Sequence, residues 1–130
     1  MGNDYPDWLD KWHENIQMGL TTWGESSDVS TTRSDCHAWG SSPNIEFFRT
    51  VLGIDSDAPG FSKVKIEPHL GKLKKAGGEI PHPAGKLTVQ YKYNEGRWKM
   101  EIELPAGITG MFVWKKKSYP LKAGKNSLIL

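Results

Sequence analysis

The chain holds a single cysteine, Cys36. One thiol excludes an internal disulfide framework and a cysteine-rich zinc site. No run approaches the ~20 apolar residues that cross a bilayer. The opening Met1-Gly2-Asn3-Asp4-Tyr5 has neither the basic start nor the apolar stretch of a signal peptide. None of the four histidines, His13, His37, His69 and His82, stands at metal-ligand spacing from another on a helix face. No metal and no cofactor are therefore expected. A Gly-rich phosphate loop and a Gly-x-Ser-x-Gly elbow are missing too. There is no internal repeat and no low-complexity tract.

What is present fits one ordinary domain, or a small domain plus a fragment, in 130 residues. Hydrophobic residues make up 37%, enough for a modest core. The small net charge of +2 conceals an asymmetry. Residues 1–60 carry Lys11, Arg33 and Arg49 against ten acids, and residues 61–130 carry fourteen cations against five acids. A basic half raises nucleic acid as a partner. Its lysines, however, alternate with apolar residues, as on the solvated face of a sheet. Neither nucleic acid nor a membrane is expected as a partner, and the contrast reads as two pieces of different origin in one chain.

The first piece is helical in pattern. Tyr5, Trp8, Leu9, Trp12 and Ile16 form one apolar stripe. Asp4 is the expected N-cap, Pro6 and Asp7 suit the first turn, and Gly19 is the stop. Residues 20–42 are a long polar loop, and long loops inside compact domains tend to be functional. A second helix is expected over 43–52, capped by Ser42 and started by Pro43, with Ile45, Phe48, Val51 and Leu52 buried and Gly53 at its end. Residues 55–60, Asp-Ser-Asp-Ala-Pro-Gly, read as a turn-rich linker.

Beyond it the period becomes two. Val64 and Ile66 alternate with charged residues, and Leu87, Val89, Tyr91 and Tyr93 form one face. Asn94-Glu95-Gly96 is a tight hairpin connection, answered by Trp98, Met100, Ile102 and Leu104. Met111, Val113 and Tyr119 extend the pattern, and Leu128-Ile129-Leu130 closes it. The expected architecture is α+β: helices over 1–55, then an antiparallel β-sandwich over 56–130, with its strands in 61–130. Trp8, Trp12, Phe47 and Phe48 must dock on the sandwich or stay exposed, where they would favour self-association.

Chemistry concentrates between the two helical patterns. Glu25 follows Thr21-Thr22-Trp23-Gly24 just past a helix end. There it is either a surface glutamate or a carboxylate that activates water. His37 either bonds sugar hydroxyls through its ring nitrogens or bonds backbone at a helix start. Trp23 and Trp39 either stack on the apolar face of a sugar ring or belong to a core. Arg33 and Asp35 are placed to brace the loop as an ion pair, and Asp28 is a further carboxylate. Cys36 beside His37 raises a catalytic thiol, but adjacent residues usually point apart, which favours a small buried thiol. His13 reads as structural, and His69 and His82, beside prolines, as exposed loop residues.

Gly19-Leu20-Thr21-Thr22-Trp23-Gly24-Glu25 resembles the Gly-Ala-Thr-Thr-x-Trp-Glu pattern of the α-L-rhamnosidases of glycoside hydrolase family 78. Gly24 departs from it, standing where many members have tryptophan. Arg33 to Trp39, then Pro43 and Phe47 to Ile54, resemble the next barrel helix. Pro59-Gly60-Phe61, Ile66-Glu67-Pro68, Gly77-Gly78 and Pro81 to Gly85 resemble the lead into the family's C-terminal β-domain. The resemblance covers about residues 5–110. It implies the end of an (α/α)₆ barrel followed by a sandwich, and an inverting mechanism on terminal α-L-rhamnosides. An inverting site needs an acid for the leaving oxygen and a base for water on the opposite face, about 6.5–9.5 Å apart. Glu25 matches the general base, and His37 a histidine that contacts the sugar. Trp23 and Trp39 would line the sugar site. The general acid matches nothing in these residues. A rhamnose-containing glycoside, the remainder of the barrel, and a periplasmic or secreted bacterial parent are the implied context, with this polypeptide inactive by itself. A stand-alone sugar-binding sandwich is the competing reading, with Tyr91, Tyr93, Trp98 and Trp114 as its platform, although alternation turns Tyr91, Tyr93 and Trp98 inward.

Overall fold

Alternating apolar and polar residues in the second part of the chain build two stacked four-stranded sheets. The computed structural model describes residues 13–25, 36–41 and 43–130, except for the side chains of Trp39 and Gly40. Two compact units, Met1–Glu46 and Phe47–Leu130, make up the chain. The class is α+β, with a small helical part and a β-sandwich.

In the first unit, α1 covers 13–17. It ends because Gly19 adopts φ 78°, which costs glycine little. The Leu20 N–H then reaches back to the Asn15 carbonyl, and the Gly19 N–H to Ile16, at 3.0 Å each. This six-to-one and five-to-two pairing satisfies carbonyls that a helix end leaves open. The expected stripe residue Ile16 is 69% exposed, and Asn15 is the buried one. Asp4, Tyr5, Pro6, Asp7, Trp8, Leu9, Trp12 and the Ser42 cap lie outside the described residues.

The expected second helix is α2, Pro43–Glu46, running on as a π-helical turn, Phe47–Val51. Wider winding shifts the apolar phase. Ile45, expected to be buried, is 57% exposed, whereas Val51 and Leu52 are buried and Phe48 packs on the core. Gly53 follows at φ 72°, and a Cβ there would collide with the backbone of Glu67 and Pro68. Its carbonyl accepts the Glu67 N–H at 2.9 Å.

Asp55 and Ser56, expected in a linker, belong to β1 (Ile54–Ser56). The strands β2 (Lys63–Ile66), β6 (Thr109–Trp114) and β7 (Lys117–Leu121) complete its sheet, in the order β1-β2-β6-β7. The other sheet holds β3 (Lys75–His82), β4 (Gly85–Asn94), β5 (Arg97–Leu104) and β8 (Gly124–Ile129), in the order β3-β4-β5-β8. Every pairing is antiparallel except β2 with β6, which run parallel with Ile66 opposite Phe112. Asn94 and Arg97 flank a two-residue turn in which Glu95 (φ 49°) and Gly96 (φ 84°) are both left-handed, the geometry that suits hairpin twist.

The core lies between the sheets. Leu87, Val89, Tyr91, Met100, Ile102 and Leu104 come from one; Val64, Ile66, Phe112 and Leu121 come from the other. The expected inward set of β6, Met111 and Val113, is only half-buried, and Phe112 between them is fully buried. Tyr91 and Phe112 meet across the sandwich at 6.3 Å between ring centres. The Tyr91 hydroxyl donates to the Leu52 carbonyl at 2.8 Å, tying the sheet to the turn after α2. Desolvation of this ring pushes the phenol pKa well above its ordinary value. Gly78 lets Leu52 and Phe48 approach β3, since a Cβ there would sit 3.0 Å from the Leu52 side chain.

Candidate functional site

The loop after α1 is set by Gly19. Thr21 and Thr22 are exposed, Trp23 and Glu25 half-buried, and Gly24 buried. One Glu25 carboxylate oxygen, Oε2, is withdrawn from solvent. A carboxylate half in and half out of solvent can still reach a water molecule.

The two segments singled out in the sequence are joined at the backbone. The His37 N–H donates to the Trp23 carbonyl at 2.8 Å. Glu25 is two residues from that carbonyl, so a carboxylate, an indole and a half-buried imidazole are gathered on one loop pair. After His37 the chain enters a 3₁₀ turn, Ala38–Ser41, closed by the Ser41 hydroxyl donating to the Ala38 carbonyl at 2.6 Å. Trp39 takes part in this turn through its backbone. Asp28, Arg33 and Asp35 lie outside the described residues. Cys36, expected to be a buried thiol, is exposed. Among the described residues no three His, Cys, Asp or Glu side chains converge as metal ligands.

The sandwich aromatics do not form an open platform. Tyr91 is fully buried. Tyr93, Trp98 and Trp114 are half-buried and pack ring against ring, Tyr93 to Trp98 at 5.4 Å and Trp98 to Trp114 at 5.5 Å. Lys74 lies over the Tyr93 ring at 4.4 Å. Each ring therefore spends its faces on neighbours and not on a sugar.

His82, expected in an exposed loop, ends β3 and is half-buried. Its Nδ1 accepts the Ala84 N–H at 3.0 Å, so Nε2 carries the proton and donates to the Phe61 carbonyl at 2.8 Å. The ring also meets Phe61 edge-on at 5.4 Å. A histidine flanked by prolines gave no hint of this, because its partners lie 21 residues away.

Sequence reading also missed a groove on the outer face of the β3-β4-β5-β8 sheet. It has a volume of about 320 Å³, and Thr88, Gln90, Glu101 and Ser127 are among its walls. These residues point outward because alternation sends Leu87, Val89 and Ile102 to the core. The signal was available: polar partners of a buried face, aligned once the register is known.

Known proteins share this arrangement. A solved α-L-rhamnosidase of Aspergillus terreus matches 92% of this chain with a TM-score of 0.82 at 19% identity, using 15% of its own length. The Streptomyces avermitilis α-L-rhamnosidase solved with L-rhamnose matches 92% at 0.79 and 16% identity, over 14% of its length. These likenesses show the fold. A curated α-L-rhamnosidase of Alteromonas sp. (strain LOR) is 34% identical over 68 residues, which are 52% of this chain and 7% of that protein. The chain thus spans a small fraction of each relative. Residues 53–127 match the model of the bacterial alpha-L-rhamnosidase C-terminal domain. That match takes in more than half the chain and nearly all of the sandwich, and by it the chain belongs to the bacterial alpha-L-rhamnosidase C-terminal domain family.

Proposed function

We propose that this chain is the C-terminal part of an inverting α-L-rhamnosidase acting on terminal α-L-rhamnosides, with residues 1–55 ending an (α/α)₆ barrel and residues 56–130 forming its accessory sandwich. The observation that carries the reading is the family match over 53–127; earlier in the chain, before α2, a loop pair joins Trp23 to His37. Glu25 is the general base that takes a proton from water as its oxygen attacks the anomeric carbon. His37 holds a sugar hydroxyl through a ring nitrogen, and Trp23 and Trp39 offer indole faces to the ring. The matching acid, which protonates the leaving oxygen, lies outside these 130 residues. No cofactor enters this mechanism.

The 130 residues alone are therefore inert toward glycosides. General acid catalysis is worth about 10²–10⁴-fold, and positioning contributes more. The sandwich serves as a structural cover and the substrate is a rhamnose-containing glycoside or polysaccharide. The parent is a bacterial periplasmic or secreted enzyme. Release of chromophore from an aryl α-L-rhamnoside tests this. Turnover by the purified chain at the level of a complete family member would overturn it.

A further inference from the structure

The outer face of the β3-β4-β5-β8 sheet carries a row of like charges. Lys75 on β3 stands opposite Lys92 on β4, and Lys92 opposite Lys99 on β5. All three are exposed, on strands about 4.8 Å apart. Like charges directly opposite one another destabilise a sheet. Three carboxylates share this face: Glu101 reaches Lys99 at 2.8 Å, Glu79 is taken by Lys86 at 3.0 Å, and Glu103 lines the groove opposite Lys125. Among the described residues Lys75 and Lys92 have no carboxylate in ion-pair range, and neither has Arg97, the next outward residue of β5. The adjoining outward row is Gly77, Gln90, Glu101 and Ser127, which runs through the groove.

We infer that this face binds an anionic polysaccharide, its carboxylate or sulfate groups on Lys75, Lys92 and Lys99 and its hydroxyls on Gln90, Ser127 and Thr88. A pyranose ring along an extended chain spans about one strand spacing, so successive charged sugars meet successive lysines. The neighbouring amide and hydroxyls supply both donors and acceptors, as sugar hydroxyls require. Single-stranded nucleic acid is less suited: its binding grooves stack bases on aromatic rings, and here Trp98 packs against the core and Tyr93 against Trp98. The choice of a glycan rests on the rhamnosidase reading, but binding here involves none of Glu25, His37 or Trp23.

Native gels cast with polygalacturonate, dextran sulfate, neutral dextran or single-stranded DNA test the site. The chain is retarded by polygalacturonate or dextran sulfate, and the two gels tell carboxylate from sulfate. Neutral dextran leaves its mobility unchanged. The Lys75→Gln/Lys92→Gln/Lys99→Gln variant binds about tenfold more weakly, the product of three modest surface contacts. A charge-matched control, Lys63→Gln/Lys117→Gln/Lys122→Gln, keeps its retardation. No retardation by either polyanion, equal losses in the two variants, or stronger retardation by the DNA would overturn the inference. The gels read binding and not hydrolysis, so this site and the rhamnosidase assignment fail separately.

Discussion

The hydroxyl of Tyr91 and the carbonyl of Leu52 are bonded at 2.8 Å inside the sandwich, 39 residues apart in sequence. This bond fastens β4 to the turn by which the chain leaves α2.

Replacing Tyr91 with phenylalanine keeps the ring and its contact with Phe112 but leaves the Leu52 carbonyl without its partner. A buried acceptor left unsatisfied costs about 1–3 kcal/mol. Urea unfolding of Tyr91→Phe should show a lower midpoint with an unchanged slope.

The same bond predicts alkaline sensitivity. Burial raises the Tyr91 pKa in the folded state, whereas an unfolded tyrosine ionises near about pH 10. The folded chain therefore keeps a proton that the unfolded chain releases. The contribution is complete below about pH 10 and is lost as pH rises above it, by about 1.4 kcal/mol per unit. Stability measured from pH 9 to 12 should fall more steeply for the native sequence than for Tyr91→Phe. Parallel curves would refute the prediction.

Gly53→Ala meets two obstacles at once, a left-handed φ of 72° and the backbone of Glu67 and Pro68. Removing chain flexibility would stabilise a relaxed site by under about 1 kcal/mol, and strain reverses that sign. The substitution should lower the melting temperature by several degrees, whereas Gly96→Ala, in open space, should cost less.

Phe112 and Met111 separate the two phases of β6. Phe112→Ala should cost about 3–5 kcal/mol, a large share of the about 5–15 kcal/mol available to such a domain. Met111→Ala, at a half-buried position, should cost less than half of that.

Much of the sandwich was legible in the sequence. Leu87, Val89, Tyr91, Met100, Ile102 and Leu104 alternate in long strands joined by a turn with its own chemistry, and all six are buried as expected. Short segments failed. Within β6, Met111 to Trp114 is apolar at four successive positions, so period two gives no phase there, and the registers with β2 and β7 place Phe112 inward. β1 hid in a stretch of turn-forming residues, because its partner β2, and not local propensity, makes Asp55 and Ser56 extended. Ile45 was misplaced because the π winding after Glu46 lies beyond a 3.6-residue rule. At the candidate site the sequence selected Trp23, Glu25, His37 and Trp39. The bond from His37 to Trp23 is tertiary and could not be read from spacing.

The parallel alignment of β2 with β6 also governs the order of assembly. Ile66 must wait for Phe112, and the whole β3-β4-β5 meander lies between them. On a ribosome the meander can zip by local hairpins while β2, paired on one side with β1, remains without β6 on the other. Closing the interval costs loop entropy before any contact repays it. The half-made domain leaves the backbone groups along one edge of β2 unpaired until β6 arrives, an edge open to pairing with another chain.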